Sequence, residues 1–355
     1  MSDDLPVLTR KTGHVGRITL NRPKALHSLT EDMCLLMSDA LQAWKDDPEV
    51  GMVIVDHTQG TRGFCAGGDI RMMAESGKTD GQGARDFFRA EYRLNALIHN
   101  FPKPYLAILD GVTMGGGVGI SVHGSHRVTT ENTVFAMPET GIGLFPDVGG
   151  GWFLPRLDGE LGMWLALTGA RLKGSAVSAI GVGTHHVPSE MIGHLVSQFE
   201  AADLSFEPER LIDTILRPLT QTVPPAEVET YSDVIDACFS KGSVEEIIRA
   251  LNETSSDWAL AQVKTMETKS PETLKIAFRQ LREGAACETF EDNMRMEYRI
   301  GWRQACSPDF QEGVRAVIID KDNKPDWPSK NLEKVSGGHL DEVFAPLGED
   351  DLTFL

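Results

Sequence analysis

The spacing of apolar positions divides the chain into two textures. Val15 to Leu20 and Met52 to Val55 read as short buried strands, and Tyr105 to Leu109 is a third that ends in Asp110-Gly111. Between the first two, Ser28 to Trp44 places Met33, Leu36, Met37, Ala40, Leu41 and Trp44 at helical spacing. A Ser28-x-x-Glu31 capping pattern stands at its start. After the third strand, the cluster Met114-Gly115-Gly116-Gly117-Val118-Gly119 opens a helix that runs through Ile120 and Val122. Strand and helix alternate, so the predicted class is α/β. From about Asp203 the pattern turns helical, with Pro218, Pro224-Pro225, Ser270-Pro271 and Ser307-Pro308 at the joints. Ser243-x-x-Glu246 and Ser270-Pro271 predict helix starts for Val244 to Leu251 and Glu272 to Leu281. The expected organisation is residues 1–202 as one part and 203–355 as a helical part packed on it. No internal repeat or long linker separates them.

Composition narrows the class. The chain has 355 residues, 41% apolar and 24% charged, which suits a globular protein and argues against disorder. No stretch approaches the roughly 18 apolar residues of a membrane span, and the start, Met1-Ser2-Asp3-Asp4-Leu5-Pro6, is acidic without an apolar run. The expected location is therefore cytoplasmic. Five cysteines form no C-x-x-C pair, so reduced thiols are expected. The net charge of −18, from 34 Lys and Arg against 52 Asp and Glu, disfavours nucleic acid or an anionic membrane as partner. Arg22, Lys24, Arg62 and Arg71 nevertheless flank the glycine-rich segments, where local cations could hold a phosphate-rich ligand.

The chemistry concentrates in three segments: Phe64-Cys65-Ala66-Gly67-Gly68-Asp69-Ile70-Arg71, the glycine cluster, and Met137-Pro138-Glu139-Thr140 to Phe145-Pro146-Asp147. Glycine lets backbone N–H groups approach a ligand without an intervening side chain, so two such turns suit a two-donor oxyanion hole. Each donor of that kind contributes about 3 to 4 kcal/mol in the transition state. Glu139 and Asp147 each follow a proline and are expected to face one pocket. Other motifs fail. Ser76-Gly77-Lys78-Thr79 lacks the P-loop glycine, because position 72 is Met72, and the region of Gly117 and Gly119 lacks the G-x-G-x-x-G spacing. Gly119-Ile120-Ser121-Val122-His123 misses the nucleophile elbow. His123, His126, His185 and His186 have no ligand-spaced partners, so no metal is expected, and Cys65 reads as a small buried thiol.

Asn21-Arg22-Pro23-Lys24-Ala25-Leu26, the Phe64 to Arg71 segment, the triple glycine and Met137-Pro138-Glu139 resemble the crotonase, or enoyl-CoA hydratase/isomerase, superfamily. Within it, Phe135 to Thr140, Phe145 to Gly150, Met296-Glu297-Tyr298-Arg299 and Glu312 to Asp322 resemble the 3-hydroxyisobutyryl-CoA hydrolase family. The similarity runs from about Gly16 to Trp327. It implies a crotonase-type spiral of stacked ββα units with a mostly helical C-terminal region, and CoA as part of the substrate with no separate cofactor.

Residue by residue, the resemblance makes Gly68 and Gly116 the oxyanion donors and Glu139 the principal catalytic acid. Asp147 and Glu91 match further acidic positions at the substrate, where they orient the acyl hydroxyl or the water. Lys24, Ala25, Ala66, Gly68, Asp69, Ile70 and Arg71 match the wall that receives CoA. Periodicity alone would turn Glu91 to solvent, since it lies in a charged amphipathic stretch. Hydratases of the superfamily hold water with two glutamates, and Gly119 occupies the place of the first. The missing acid moves the expectation from hydration toward hydrolysis of a short 3-hydroxyacyl-CoA thioester. The alternatives are an enoyl-CoA hydratase or isomerase and, more distantly, a non-catalytic CoA-binding protein. The resemblance leaves two arrangements open: a homo-oligomer joined through the C-terminal helices, or a helical half that covers its own spiral domain.

Overall fold

The computed structural model describes residues 5–354, so residues 1–4 of the acidic start lie outside it. Strands β1 (Val7–Thr12) and β2 (Val15–Leu20) form an antiparallel hairpin. Six further strands come in consecutive pairs: β3 (Met52–His57) with β4 (Gly63–Cys65), β5 (Tyr105–Leu109) with β6 (Val112–Met114), and β7 (His126–Thr129) with β8 (Val134–Ala136). Strands β9 (Leu172–Lys173) and β10 (His185–His186) follow. The first member of each pair joins a six-stranded sheet, β1-β2-β3-β5-β7-β10, and the second joins a four-stranded sheet, β4-β6-β8-β9. Helices Ile70–Gly77 and Gly116–Val122 follow the first two pairs, so the chain advances as repeated ββα steps along two sheets at once. Every residue of β3 and β5 is buried, as parallel strands covered on both faces require.

Contacts divide the chain into two compact units, and neither is continuous in sequence. The first comprises Met1–Gly68, Arg93–Phe135 and Arg171–Ala226, and it carries both sheets except the last residue of β8. The second comprises Asp69–Tyr92, Ala136–Ala170 and Glu227–Leu355. The sequence pattern suggested one division near residue 202, whereas residues up to 226 stay with the sheets. Leu204, Ile212 and Leu216, with Leu195 and Phe199, belong to one buried cluster with Met52, Ile54, Leu106 and Ile108. Each such side chain contributes about 1.5–3 kcal/mol on burial, which ties helix Pro208–Leu216 to the six-stranded sheet.

The predicted helix starts are found at Ser243 and Ser270. Ser243 accepts from the N–H of Glu246 at 3.2 Å, and Ser270 accepts from that of Thr273 at 3.1 Å, opening Val244–Thr254 and Pro271–Ala285. The first helix differs: it spans Glu31–Lys45, and Thr30 rather than Ser28 is its cap. Leu29 donates to the Gly67 carbonyl at 2.8 Å in a parallel bridge with Gly68, so the backbone there is extended. Ser28 instead accepts from Arg22 at 3.0 Å.

Candidate active site

In the first unit, parallel pairing of β4 with β6 brings the two glycine turns together, with Cys65 opposite Thr113. Gly67 has φ +114°, and a side chain there would reach within 3.8 Å of the Gly116 nitrogen. Gly115, at φ +47° and ψ −122°, turns the chain into helix Gly116–Val122, in a conformation that glycine alone adopts freely. At Gly117 a β-carbon would meet the Cys65 carbonyl oxygen at 2.2 Å, so the helix approaches the β4 end closely only because that position is bare. The segment around Lys24 and Ala25 lies alongside. These residues form a short 3-10 turn, Pro23–Ala25, and the N–H of Ala66 donates to the Leu26 carbonyl at 3.0 Å. Lys24 is exposed. Cys65 is fully buried, and its thiol donates to the His27 carbonyl at 3.1 Å, as expected of a packed thiol.

Asp69, Ile70 and Arg71 open the second unit. Asp69 caps helix Ile70–Gly77 by accepting from the N–H of Met72 at 3.2 Å, and Arg71 is exposed in the first turn. Ser76-Gly77-Lys78-Thr79 is the end of this helix, which is not a phosphate loop.

The second unit also holds the acids. Glu139 begins a 3-10 turn, Glu139–Ile142, shortly after β8, and it is 5% exposed. Asp147, also 5% exposed, lies on the following turn and accepts from the Tyr92 hydroxyl at 2.8 Å. Glu91 is 2% exposed on helix Gln82–His99, where the charged sequence had suggested solvent. The reason is that the face of this helix carrying Phe87, Phe88, Leu94 and Tyr92 is buried too. A fourth acid, Glu297, is fully buried on helix Phe290–Gln304. Its carboxylate accepts from the N–H groups of Gly149 at 2.7 Å and Gly151 at 2.8 Å, from Asn293 at 2.9 Å and from Gln280 at 3.0 Å.

Four carboxyl groups in one buried region repel ionisation. Burial, then the charges of Asp147, Glu139 and Glu297, pushes Glu91 well above the usual carboxylate range. Burial and Asp147 do the same to Glu139. Burial pushes Asp147 up to about 7 against the Tyr92 hydrogen bond, which favours its charged form. Glu297 is likewise pushed up to about 7, against the donors of Gly149, Gly151 and Asn293. Among the described residues no cation pairs with any of the four. One oxygen of Glu91 and one of Glu139 are buried without a hydrogen-bond partner in the protein, so both present unused donor or acceptor capacity.

The turn after Asp147 is strained. Val148 is fully buried at φ +52° and Gly149 follows at φ +87°. A β-branched residue in the left-handed region costs on the order of 1–3 kcal/mol and persists only where its surroundings impose it. Glu297 was visible in sequence only as part of Met296-Glu297-Tyr298-Arg299; no local pattern marked it as a carboxylate bound to a distant turn. Tyr92 was similarly hidden beside Glu91. Among the described residues no group of three or more His, Cys, Asp or Glu is arranged to hold a metal.

The enoyl-CoA hydratase/isomerase family model matches residues 15–344. The mitochondrial 3-hydroxyisobutyryl-CoA hydrolase of Xenopus tropicalis is 48% identical over 97% of this chain and 90% of its own length. The human protein of that name is 46% identical over 98% of this chain and 90% of its own. Among solved structures, a carnitinyl-CoA dehydratase from Mycobacterium thermoresistibile aligns with TM-score 0.92 at 38% identity, covering 99% of each chain. An enoyl-CoA hydratase from Rhodobacter sphaeroides aligns with TM-score 0.89 at 37% identity, covering 99% of this chain and 100% of its own. The expected cytoplasmic location is overturned, because these sequence relatives are named mitochondrial. The expectation rested on the absence of an apolar secretory run, and mitochondrial targeting uses an amphipathic, Arg-rich segment instead. With both sheets, the paired glycine turns and near full-length similarity in agreement, the chain belongs to the enoyl-CoA hydratase/isomerase family.

Proposed function

We propose that this chain hydrolyses the thioester of 3-hydroxyisobutyryl-CoA to the free 3-hydroxy acid and CoA. The observation that carries this reading is Glu139: a buried acid next to Asp147 with one carboxyl oxygen unsatisfied by protein. The names of relatives at 46–48% identity support the substrate.

The proposed roles follow from the chemistry. The amides of Gly68 and Gly116 receive the charge that develops on the thioester oxygen. Glu139, once ionised, is made more basic by its surroundings, and it either removes a proton from attacking water or adds to the carbonyl itself. The second route expels CoA thiolate and leaves a mixed anhydride that water opens, returning the glutamate. Asp147 assists Glu139, and Glu91 orients the acyl hydroxyl. Lys24, an exposed cation of the first unit, is suited to a CoA phosphate, with Ala25, Ala66 and Gly68 in the same unit, and Arg71, exposed in the second unit, is suited likewise, with Asp69 and Ile70 before it in sequence.

Replacing Glu139 by Gln is expected to abolish CoA thiol release from 3-hydroxyisobutyryl-CoA, and near-full turnover would sink the assignment. In heavy-oxygen water, label entering Glu139 in a single turnover supports attack by the carboxylate, and an unlabelled Glu139 supports the general-base route.

The names of the two solved relatives favour a second reading, reversible hydration. The position expected to carry the other water-holding acid is Gly119, buried within its helix, which leaves hydration one group short. Loss of enoyl absorbance from crotonyl-CoA, set against thiol release from 3-hydroxyisobutyryl- and 3-hydroxypropionyl-CoA, separates the readings.

A further inference from the structure

Glu297 has four proton donors and no contact that marks it as an acid for substrate. Of the two backbone donors, Gly149 is the second residue of the left-handed turn that begins at Val148, and Gly151 lies two residues beyond it. Gln280 makes a second tie on the other side of Asp147, donating to the Pro146 carbonyl at 2.7 Å while it donates to Glu297 at 3.0 Å. Asn293, one helical turn before Glu297, donates to the same oxygen. The chain is thus held immediately before and after Asp147 by one buried polar network, and the Asp147 carboxylate is met by Tyr92 from helix Gln82–His99.

The bare positions follow from the same arrangement. A β-carbon at Gly151 would lie 2.5 Å from the Asn293 side-chain oxygen, and one at Gly284 would lie 2.1 Å from the Gly151 carbonyl oxygen. The two helices that carry Gln280, Gly284, Asn293 and Glu297 therefore approach the turn as closely as backbone allows. A carboxylate is suited to position 297 because it offers two acceptor oxygens to two N–H groups, whereas an amide would turn its own donor toward one of them.

We infer that Glu297 is the positioning residue for Asp147: its carboxylate holds the Val148–Gly149 turn in its left-handed form and so fixes where the Asp147 carboxyl stands. The inference rests on the proposed hydrolase reading for its catalytic consequence, but the turn itself is measurable without turnover.

The test compares wild type with Glu297→Gln in two measurements. Amide hydrogen exchange at Gly149 and Gly151 is expected to accelerate at least about 10-fold in the variant while the six-stranded sheet keeps its protection. Thiol release per competent site, with sites counted by calorimetric titration of free CoA, is expected to fall at least about 10-fold with KM within about 3-fold of wild type. A role limited to stability would lower the number of sites and leave turnover per site unchanged, which overturns the inference. Unaltered exchange at both glycines also overturns it. If wild type itself releases no thiol, the hydrolase reading fails, and exchange alone decides whether Glu297 holds the turn. Should Glu297→Gln not fold, Gln280→Met removes the tie to Pro146 at similar volume. It carries the same expected loss of turnover per site, and unchanged turnover there counts against the inference.

Discussion

Tyr92 and Asp147 show how one hydrogen bond sets the ionisation of a buried acid. Burial raises Asp147 and the Tyr92 hydroxyl lowers it, so removing the hydroxyl leaves only a backbone hydrogen bond to oppose burial. Tyr92→Phe is expected to move the acidic limb of the kcat/KM profile to higher pH, because the Glu139–Asp147 pair then holds its protons longer. In wild type that limb is expected well above the range of an ordinary carboxylate. A limb that stays in place or moves down would refute the role of the hydroxyl. Glu139 and Asp147 were legible at this scale because each follows a proline in a segment with no other chemistry. Glu91 was marked only through the family resemblance and Glu297 was not marked as a site acid, because each sits among charged neighbours on a helix. Only the packing partners of those helices decide which charges are buried.

At the scale of elements, the paired turns depend on β4 and helix Gly116–Val122 approaching within backbone distance. Gly117→Ala places a methyl group against the Cys65 carbonyl and Cβ, at 2.2 and 2.8 Å, so strand and helix must separate. The expected result is a loss of about 1–3 kcal/mol in denaturant unfolding, with thiol release lost beyond the loss of folded protein. Wild-type stability and turnover would show that the approach is not needed. Helix starts that depend on local chemistry were legible, as at Ser243 and Ser270. The start at Thr30 was not, because a pairing of Leu29 with Gly67, 38 residues away, keeps the chain extended past Ser28.

At the scale of the whole molecule, the buried acids link stability to pH. Glu91 keeps its proton in the folded state and releases it in the unfolded chain above about 4.5, so the folded state binds more protons and stability falls as pH rises from there toward the raised folded value. Glu91→Gln removes that penalty. It is expected to unfold at a higher temperature than wild type at pH 8, with the difference shrinking toward pH 5. An equal difference at both pH values would show that Glu91 does not titrate as inferred. The sequence by itself determined the α/β class, the two glycine turns, Glu139 with Asp147 as the acids to watch, and the family to which these belong. Those features are written in local spacing, prolines and glycine, which act through the backbone near them. The tertiary structure alone decided that residues up to 226 stay with the sheets, that Glu91 is buried, and that Glu297 binds a turn nearly 150 positions earlier. Each of these depends on which faces meet across long stretches of chain, and no local pattern encodes that.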